Sequence, residues 1–344
     1  MTEEQWNLLL DTIDGKLSKP IPSGFLIDSP WLPGWYGIST LDYYTNNKYW
    51  LEANFKAINT FPELMFLPGF WSEYGMCTEP SAFGAKTVWS KNNLPHADKI
   101  IYDISDIDKL LKPNVKTDGL LPFMINRLVH SEKIINDAGH SIKFAITRGP
   151  LNIASFLMGT TEFLLATQMY PEKIHKFLKL ITDFTIDWLE LQTNSFKTID
   201  GILLLDDIIG FVGENDFKTF ALPYLKEIFQ YFDFKVKFFH NDSEGIVCSP
   251  YLNEIGVNLF NYSFNHSVNE IKELTENKIT LLGNIPPRDV MALGKPDDVK
   301  DAVVNSIGSV KDKSRIILSC GGGMPQDVPT ENIRAFIAAT IQPE

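Results

Sequence analysis

Short runs of apolar, often β-branched residues alternate with longer amphipathic stretches along most of this 344-residue chain. The short runs predict strands at residues 25–28, 64–67, 143–147, 202–206, 236–240, 257–261, 279–284 and 315–320. The longer stretches predict helices at 161–168, 171–193, 214–232, 267–275, 297–306 and 330–340. Because the strands lack an alternating polar face, we expect a parallel sheet that is covered on both sides.

About eight strands with helices between them predict an α/β fold, a closed (β/α)8 TIM barrel. No linker or internal repeat divides the sequence, so we expect a single domain over residues 1–344 with a helical lead-in at about 1–24. A doubly wound open sheet is the alternative, since the glycines at 321–323 resemble a nucleotide-binding turn. They lack the Gly-x-Gly-x-x-Gly spacing and no βαβ unit follows them, which favours the barrel.

Polar residues follow most of the predicted strands. They are Asp28, Arg148, Asp206, Asp207, His240, Asn261, Asn284 and Cys320. The strand ends of a parallel barrel meet at one rim, where active sites of this fold are built. We therefore expect Arg148, Asp206 and His240 to be catalytic and Asn261 to contact the substrate. Adjacent strand residues point to opposite faces, so only one of Asp206 and Asp207 should face the barrel interior.

Two strand ends offer a set of metal ligands. His240, Asp242 and Cys320 supply imidazole nitrogen, carboxylate oxygen and thiolate sulfur, which borderline metals such as zinc bind together. Glu244 is a second candidate oxygen ligand, and Asp242 can instead orient His240 through a hydrogen bond. The alternative is a structural histidine and a buried thiol. No Cys-x-x-Cys or His-Glu-x-x-His motif accompanies these residues.

Charge and cysteine content narrow the class of protein. The net charge of −12 disfavours nucleic acid and anionic membranes as partners. The cysteines Cys77, Cys248 and Cys320 are odd in number and far apart, which argues against disulfides and for a reducing compartment. The first residues lack the pattern of a signal peptide, and no apolar stretch is long enough to span a bilayer. We expect a soluble cytoplasmic protein.

Three segments resemble the uroporphyrinogen decarboxylase superfamily. They are Gly-Asn-Ile-Pro-Pro-Arg-Asp at 283–289, Ser-Cys-Gly-Gly-Gly-Met-Pro at 319–325 with Thr-Glu-Asn-Ile at 330–333, and Arg-Gly-Pro-Leu-Asn-Ile-Ala-Ser-Phe at 148–156. The likeness spans most of residues 140–340. It implies a (β/α)8 barrel and one of two activities, decarboxylation of a porphyrinogen or cobamide-dependent methyl transfer.

The early part of the chain departs from the decarboxylase pattern. Decarboxylases of the superfamily carry an arginine-rich segment near the N-terminus, which suits a substrate ringed with carboxylates. Here the first arginine is Arg127, and residues 28–37 are aromatic and nearly uncharged. Phe156 stands where the resemblance places the active-site tyrosine of the decarboxylases. These departures favour the methyltransferase branch.

The thiol-specific methyltransferases of the superfamily carry His-x-Cys and a distant second Cys as zinc ligands. The resemblance maps these ligands onto His240, Asp242 and Cys320. Exchange of a thiolate for a carboxylate makes the ion harder and better matched to oxygen, which points to an ether or alcohol oxygen. The segment Glu-Pro-Ser-Ala-Phe-Gly at 79–84 and the pair at 206–207 also resemble corrinoid-dependent O-demethylases.

Several early residues are candidates for substrate binding. The set is Trp31, Trp35, Tyr36, Trp71, Phe83 and Glu79, in loops that are rich in Pro and Gly. Aromatic side chains at the barrel mouth suit an aromatic leaving group. The alternative is that they only close the barrel. For Arg148, the alternatives are a substrate carboxylate and an ion pair with a rim aspartate.

The resemblance implies an enzyme, a zinc-dependent O-demethylase methyltransferase found in anaerobic metabolism. It would move the methyl group of a methoxylated, aromatic compound to the Co(I) cobamide (cobalamin) of a partner corrinoid protein, with Zn²⁺ as its own cofactor. The alternatives are a methylcobamide:thiol methyltransferase, a uroporphyrinogen decarboxylase and a non-catalytic ligand-binding barrel. A homodimer is compatible with these readings.

Overall fold

The computed structural model describes residues 1–27 and 30–341, and eight parallel strands form its centre. In chain order the strands are β1 (Gly24–Leu26), β2 (Met65–Leu67), β3 (Thr87–Val88), β4 (His96–Ala97), β5 (Phe144–Arg148), β6 (Gly201–Leu205), β7 (Val236–Asn241), β8 (Leu259–Tyr262), β9 (Thr280–Ile285) and β10 (Ile316–Cys320). β3 and β4 form a separate antiparallel pair. Each of the eight predicted strands overlaps one of the eight parallel strands. Asp28, the last residue of the first predicted strand, lies outside the described residues.

Helices cover the outside of these strands. They are α1 (Glu3–Ile13), α2 (Leu32–Tyr36), α3 (Thr40–Thr45), α4 (Asn47–Thr60), α5 (Thr78–Ala82), α6 (Leu121–Asp137), α7 (Pro150–Met158), α8 (Thr160–Met169), α9 (Pro171–Ser195), α10 (Glu214–Asp216), α11 (Leu222–Tyr231), α12 (Leu252–Ile255), α13 (Val268–Leu274), α14 (Pro296–Ser309) and α15 (Thr330–Ile341). The six predicted helices are present, with the one at 214–232 interrupted by a π-turn at Phe217–Ala221. The sequence reading missed α4, α6 and α7. None of the helices within the described ranges is both long and apolar enough to cross a membrane.

The eight parallel strands form the barrel that the sequence predicts. β5 to β10 pair consecutively in one parallel sheet, and β1 pairs with β2. A bridge between Ser23 and Leu318 joins the β1 edge to β10. The (β/α)8 fold is therefore confirmed.

One seam of the barrel is closed by side chains. In the described structure no ladder pairs β2 with β5. Instead the Gln192 side-chain amide, from α9, accepts from the Ile146 backbone N–H at 2.9 Å and donates to the Ile146 carbonyl at 2.9 Å. Next along β5, the Arg148 backbone N–H donates to the Glu79 carboxylate at 2.9 Å. These contacts satisfy backbone groups that would otherwise be buried without partners.

Helix α1 closes the N-terminal end of the barrel. A capping box between Thr2 and Gln5 starts the helix. Its Trp6 lies among the interior residues and packs edge-on against Phe144 of β5, with ring centroids 5.6 Å apart. The apolar interior therefore ends in a helix at this end, which leaves the opposite, C-terminal end for a site.

Candidate active site at the barrel mouth

A cavity of about 290 Å³ opens at the C-terminal end of the barrel. Its apolar lining comes from aliphatic and thioether side chains, namely Leu26, Met76, Leu94, Leu205 and Met324 with two prolines. Its charged lining is Glu73, Arg148, Asp207, His240 and Asp242. A larger cleft of about 500 Å³ lies beside α1 and α15 at the other end. We place the site in the smaller cavity, because the C-terminal end of the strands is where this fold builds active sites.

The ring of His240 is fixed in orientation by Asn261. The amide of Asn261 donates to the carbonyl of Leu282 at 2.7 Å and to that of Cys320 at 3.2 Å, so its oxygen must face the ring. That oxygen lies 2.7 Å from His240 Nδ1. Because the oxygen is an acceptor only, Nδ1 carries the proton and Nε2 faces the cavity. Asn261 therefore orients His240, and its predicted contact with the substrate is replaced by this role.

Two carboxylates face His240 Nε2. The Nε2 atom lies 3.6 Å from Asp207 Oδ1 and 3.7 Å from Asp242 Oδ2. The three ligand atoms lie within 4.8 Å of one another. Desolvation raises the pKa of Asp242; His240 opposes the rise, and the negative charge of Asp207 adds to it. Two adjacent carboxylates beside an imidazole nitrogen form a site that a cation or a proton would stabilise.

Hydrogen bonds from the surrounding chain hold the carboxylate of Asp207 in place. The Asn152 side chain, from α7, donates to Asp207 at 3.4 Å, and the Asp242 backbone N–H donates to Asp207 at 3.3 Å. Gly322 has a φ of +115°, and a Cβ there would lie 2.8 Å from Asp242 Oδ2. Gly322 therefore allows the backbone of the turn to approach this carboxylate.

Cys320 does not lie with the other two predicted metal ligands. It packs with Ile316 and Leu318 on the outer face of β10, whereas Ile317 faces the barrel interior. His240 shares the interior face of its own strand with Phe238. Burial raises the pKa of the Cys320 thiol, which disfavours the thiolate that a metal needs. In the structure, Asp207 takes the place predicted for Cys320.

The second candidate oxygen ligand is also outside the group. Glu244 is exposed, and its carboxylate accepts from Asn265 at 3.4 Å. It is not one of the three residues whose ligand atoms meet. Of the open alternatives, the structure therefore favours Asp242 over Glu244 as the neighbour of His240.

Asp206 caps a helix and does not line the cavity, so its predicted catalytic role is wrong. Its fully buried carboxylate accepts the backbone N–H groups of Leu151 and Asn152, both at 2.9 Å, at the start of α7. That helix begins with Gly149 and Pro150, which supply no side-chain cap. Burial raises the pKa of Asp206, and the two N–H donors oppose the rise. As the strand geometry predicts, only one of the two aspartates faces the interior, and it is Asp207.

Arg148 forms a buried ion pair, the alternative that the sequence left open, but with a glutamate. Its guanidinium lies 2.6 Å from the carboxylate of Glu73, and both side chains are about nine-tenths buried. Glu79 lies behind this pair and accepts the Arg148 backbone N–H. Burial raises the pKa of both glutamates, and Arg148 opposes the rise. Glu79 does not line the cavity, and its predicted contact with substrate stays a prediction.

The predicted aromatic residues lie outside the lining of this cavity, and their contact with a substrate stays a prediction. The indole N–H of Trp31 donates to Val328 and that of Trp35 to Thr330, both at 3.0 Å, which ties α2 to the start of α15. The remaining three predicted residues lie elsewhere: Tyr36 contacts Glu52, Trp71 donates to the carbonyl of Ile27, and Phe83 packs on Phe184. None of the five lines the cavity.

The sequence reading missed two functional features. Glu73 lies in the loop after β2, with no motif around it to distinguish it from a solvent-exposed charge. The apolar lining by Met76 and Met324 also carried no signal, because both lie in loops. Asp207 had a signal, since it was one of two adjacent aspartates after a predicted strand.

Comparisons with known proteins agree with this geometry. The family model for uroporphyrinogen decarboxylase (URO-D) matches residues 36–342. Uroporphyrinogen decarboxylase of Chloroherpeton thalassium is 25% identical over 281 residues, which cover 78% of this chain and 76% of that protein. Methylated-thiol–coenzyme M methyltransferase of Methanosarcina mazei is 22% identical over 273 residues, which cover 78% of this chain and 70% of that protein.

Solved structures show the same fold. A methyltransferase from Methanosarcina mazei superposes with a TM-score of 0.80 at 17% identity, with 96% of each chain covered. A B12-independent methionine synthase from Shewanella superposes with a TM-score of 0.56 at 10% identity, covering 93% of this chain and 94% of that one. Since the family model matches most of the sequence and the barrel is the one shared with these enzymes, the chain belongs to the uroporphyrinogen decarboxylase family.

Proposed function

We propose that this protein is a corrinoid-dependent methyltransferase that takes the methyl group of a methoxylated small molecule. The acceptor is the Co(I) cobamide of a partner corrinoid protein, and Asp207, His240 and Asp242 hold a zinc ion. The observation that carries the proposal is the meeting of these three ligand atoms within 4.8 Å at a cavity on the C-terminal end of a barrel. The methyltransferase relatives of the chain support the reaction class.

The residues present fit a catalytic zinc ion. Three protein ligands of nitrogen and oxygen type leave a further position for substrate. His240 already has the orienting hydrogen bond on its other ring nitrogen that metal-ligating histidines have. The two carboxylates face the cavity, with side chains 36% and 44% exposed, so an ion can reach them. An oxygen-rich set of this kind suits an oxygen atom as the leaving group.

The proposed chemistry is a displacement at the methyl carbon. The methyl group forms a bond to cobalt with the electron pair of Co(I), and the pair of the broken C–O bond stays on oxygen. Zinc, when bound, supplies Lewis-acid stabilisation of that oxygen. Asp207, His240 and Asp242 would hold the ion and so set where the oxygen binds, while Leu26 and Leu205 would limit the access of water to the cavity.

The rim of the mouth supports docking of a protein partner. Met76, Phe211 and Phe264 lie in the segments that follow β2, β6 and β8, and their exposed fractions are 38%, 66% and 39%. These side chains belong to three of the segments that follow strands of the barrel, on the side where the cavity opens. A corrinoid protein that delivers its cobamide to the cavity would cover these residues.

Metal analysis tests the ligand set. We expect about one zinc per chain in the wild type, loss of zinc in His240→Ala and Asp207→Ala, and retention in Cys320→Ala. Methyl transfer is then measured as methylcobalamin formed from Co(I) cobalamin and a panel of methoxy compounds without added thiol. Zinc lost from Cys320→Ala and kept by Asp207→Ala would refute the ligand set, and transfer from no donor would refute the reaction.

Two rival activities have support in the relatives. A methylcobamide:thiol methyltransferase is favoured by the methylated-thiol relative, but the ligand group contains no thiolate. A uroporphyrinogen decarboxylase is favoured by several relatives, but Arg148, already paired with Glu73, is the one lysine or arginine among the described residues that line the cavity. Methylation of an added thiol by methylcobalamin, or decarboxylation of uroporphyrinogen, would show either one directly.

A further inference from the structure

The charges that line the mouth cavity are mostly negative. Glu73, Asp207 and Asp242 contribute carboxylates, against the single guanidinium of Arg148. No other lysine or arginine lines the cavity in the described part of the chain. An anionic group of a substrate therefore has one candidate partner, which is Arg148.

Arg148 is already neutralised. Its guanidinium contacts the Glu73 carboxylate at 2.6 Å, and the side chains of the pair are 9% and 10% exposed. Glu79, 4% exposed, holds the backbone of the same arginine. One buried carboxylate thus contacts the guanidinium, and a second contacts the backbone of the same residue. To bind an anion here, the protein would have to break a buried ion pair and leave Glu73 without its partner.

A bound divalent ion does not reverse this balance. The carboxylates of Asp207 and Asp242 together match its two positive charges. The group of Glu73, Glu79 and Arg148 then has one negative charge, or none if one glutamate keeps a proton. Beyond the three ligands of the ion, the other side chains of the lining are aliphatic or thioether, apart from Asn152, whose amide already donates to the Leu205 carbonyl and to Asp207, so they offer little compensation for an anion.

We infer that the part of the methyl donor that does not react is neutral or cationic. This inference rests on the proposed function and specifies its substrate class. A cavity of about 290 Å³ with Leu, Met and Pro side chains in its lining accepts an apolar group. Methyl donors with a carboxylate or sulfonate are excluded by the paired state of Arg148.

Three methyl ethers of similar size and different charge test the inference. They are methoxyacetate, which is anionic, 2-methoxyethanol, which is neutral, and 2-methoxyethylamine, which is cationic at neutral pH. Their affinities for the zinc-loaded full chain are measured by calorimetry, and their methyl transfer to Co(I) cobalamin is followed spectroscopically. We expect methoxyacetate to bind and react about 100-fold more weakly than the other two, because its charge is buried without a partner.

Glu73→Gln supplies the converse test. The substitution keeps the side-chain shape and releases the guanidinium of Arg148, so the disadvantage of methoxyacetate should shrink to about 10-fold or less. Glu244→Gln is the matched control, since it removes an equal charge from an exposed carboxylate in the loop after β7 and should leave the preference unchanged. Thermal unfolding checks that both variants are folded. If Glu73→Gln does not fold, the comparison of the three ethers with the wild type still tests the inference.

The outcomes separate this inference from the proposed function. If the wild type transfers the methyl group of methoxyacetate as fast as that of the other two ethers, or faster, the inference that the donor is neutral or cationic is overturned. The methyltransferase proposal would still stand. No methyl transfer from any of the three ethers or from the wider methoxy panel, with zinc bound, would overturn the reaction. In that case the calorimetric order of the three affinities still decides whether a neutral or cationic donor is preferred.

Discussion

At the N-terminal end of the barrel, the apolar side chains of α1 cover the strand ends, whereas at the C-terminal end five charged side chains line a cavity. The closed end, with Trp6 packed on Phe144, is built for stability. The mouth brings two carboxylates together beside His240 and buries a second pair of carboxylates around Arg148. Such an arrangement costs stability unless a ligand offsets it, which indicates that the mouth was selected for binding.

Removal of the aromatic plug tests the closed end and should have the largest effect. We expect Trp6→Ala to lower the free energy of unfolding by about 3–5 kcal/mol, because Trp6 is 3% exposed and its loss leaves a cavity. Chemical denaturation measures the change. The protein that remains folded should keep its metal and its kcat/KM; loss of both would show that the two ends are coupled.

Substitution of Asp207 tests the mouth. Asp207→Asn should reduce zinc affinity and kcat/KM by about 100-fold or more, since an amide is a weaker ligand than a carboxylate. The melting temperature of the metal-free variant should equal or exceed that of the metal-free wild type, because one of two adjacent negative charges is removed. Zinc titration and denaturation together measure the two effects, and a variant with normal zinc affinity would contradict the assignment.

The neighbouring aspartate should respond in the opposite way. Asp206→Asn leaves one of the two N–H groups at the start of α7 without its charged acceptor, at a cost of about 1–2 kcal/mol in the free energy of unfolding. Zinc content should be unchanged, because Asp206 does not face the cavity. Equal losses of zinc in the two asparagine variants would remove the distinction between these adjacent residues.

The smallest effect is a pH dependence at the mouth. Burial raises the pKa of Glu79 above its unfolded value, so its contribution to stability is fully present below the unfolded pKa and is lost as the pH rises through the folded pKa. Glu79→Gln keeps the acceptor for the Arg148 N–H and removes the titration. The melting temperature of the variant should therefore rise relative to that of the wild type as the pH increases from the unfolded to the folded pKa of Glu79. A difference that is constant with pH would contradict the burial argument.

The barrel was predictable because its strands are short apolar runs separated by amphipathic stretches, and each of the eight predictions overlaps a strand. Helices such as α4 and α6 were missed. For α4, the start at Asn47 after the capping residue Asn46 lies among aromatic and polar residues, a composition that is typical of a loop. Within the site, His240 and Asp242 were found because residues after a strand reach the rim. Cys320 misled because it is the last residue of β10, where a shift of one position exchanges the interior and outer faces. The aromatic residues between 31 and 83 were expected at the cavity but do not line it, because the composition of a loop does not show which surface the loop covers.

Gln192, which covers the edge of β5 at the seam with β2, also protects the protein from aggregation. A strand edge with unpaired amides is a template for pairing with another chain, and it is a route to aggregation. Because Gln192 lies on the long helix α9, that protection lasts only while α9 is docked. Partial undocking of this helix would uncover the backbone of Ile146, while Glu79 would still cover that of Arg148, so docking of α9 bears on the resistance of the protein to aggregation as well as on its fold.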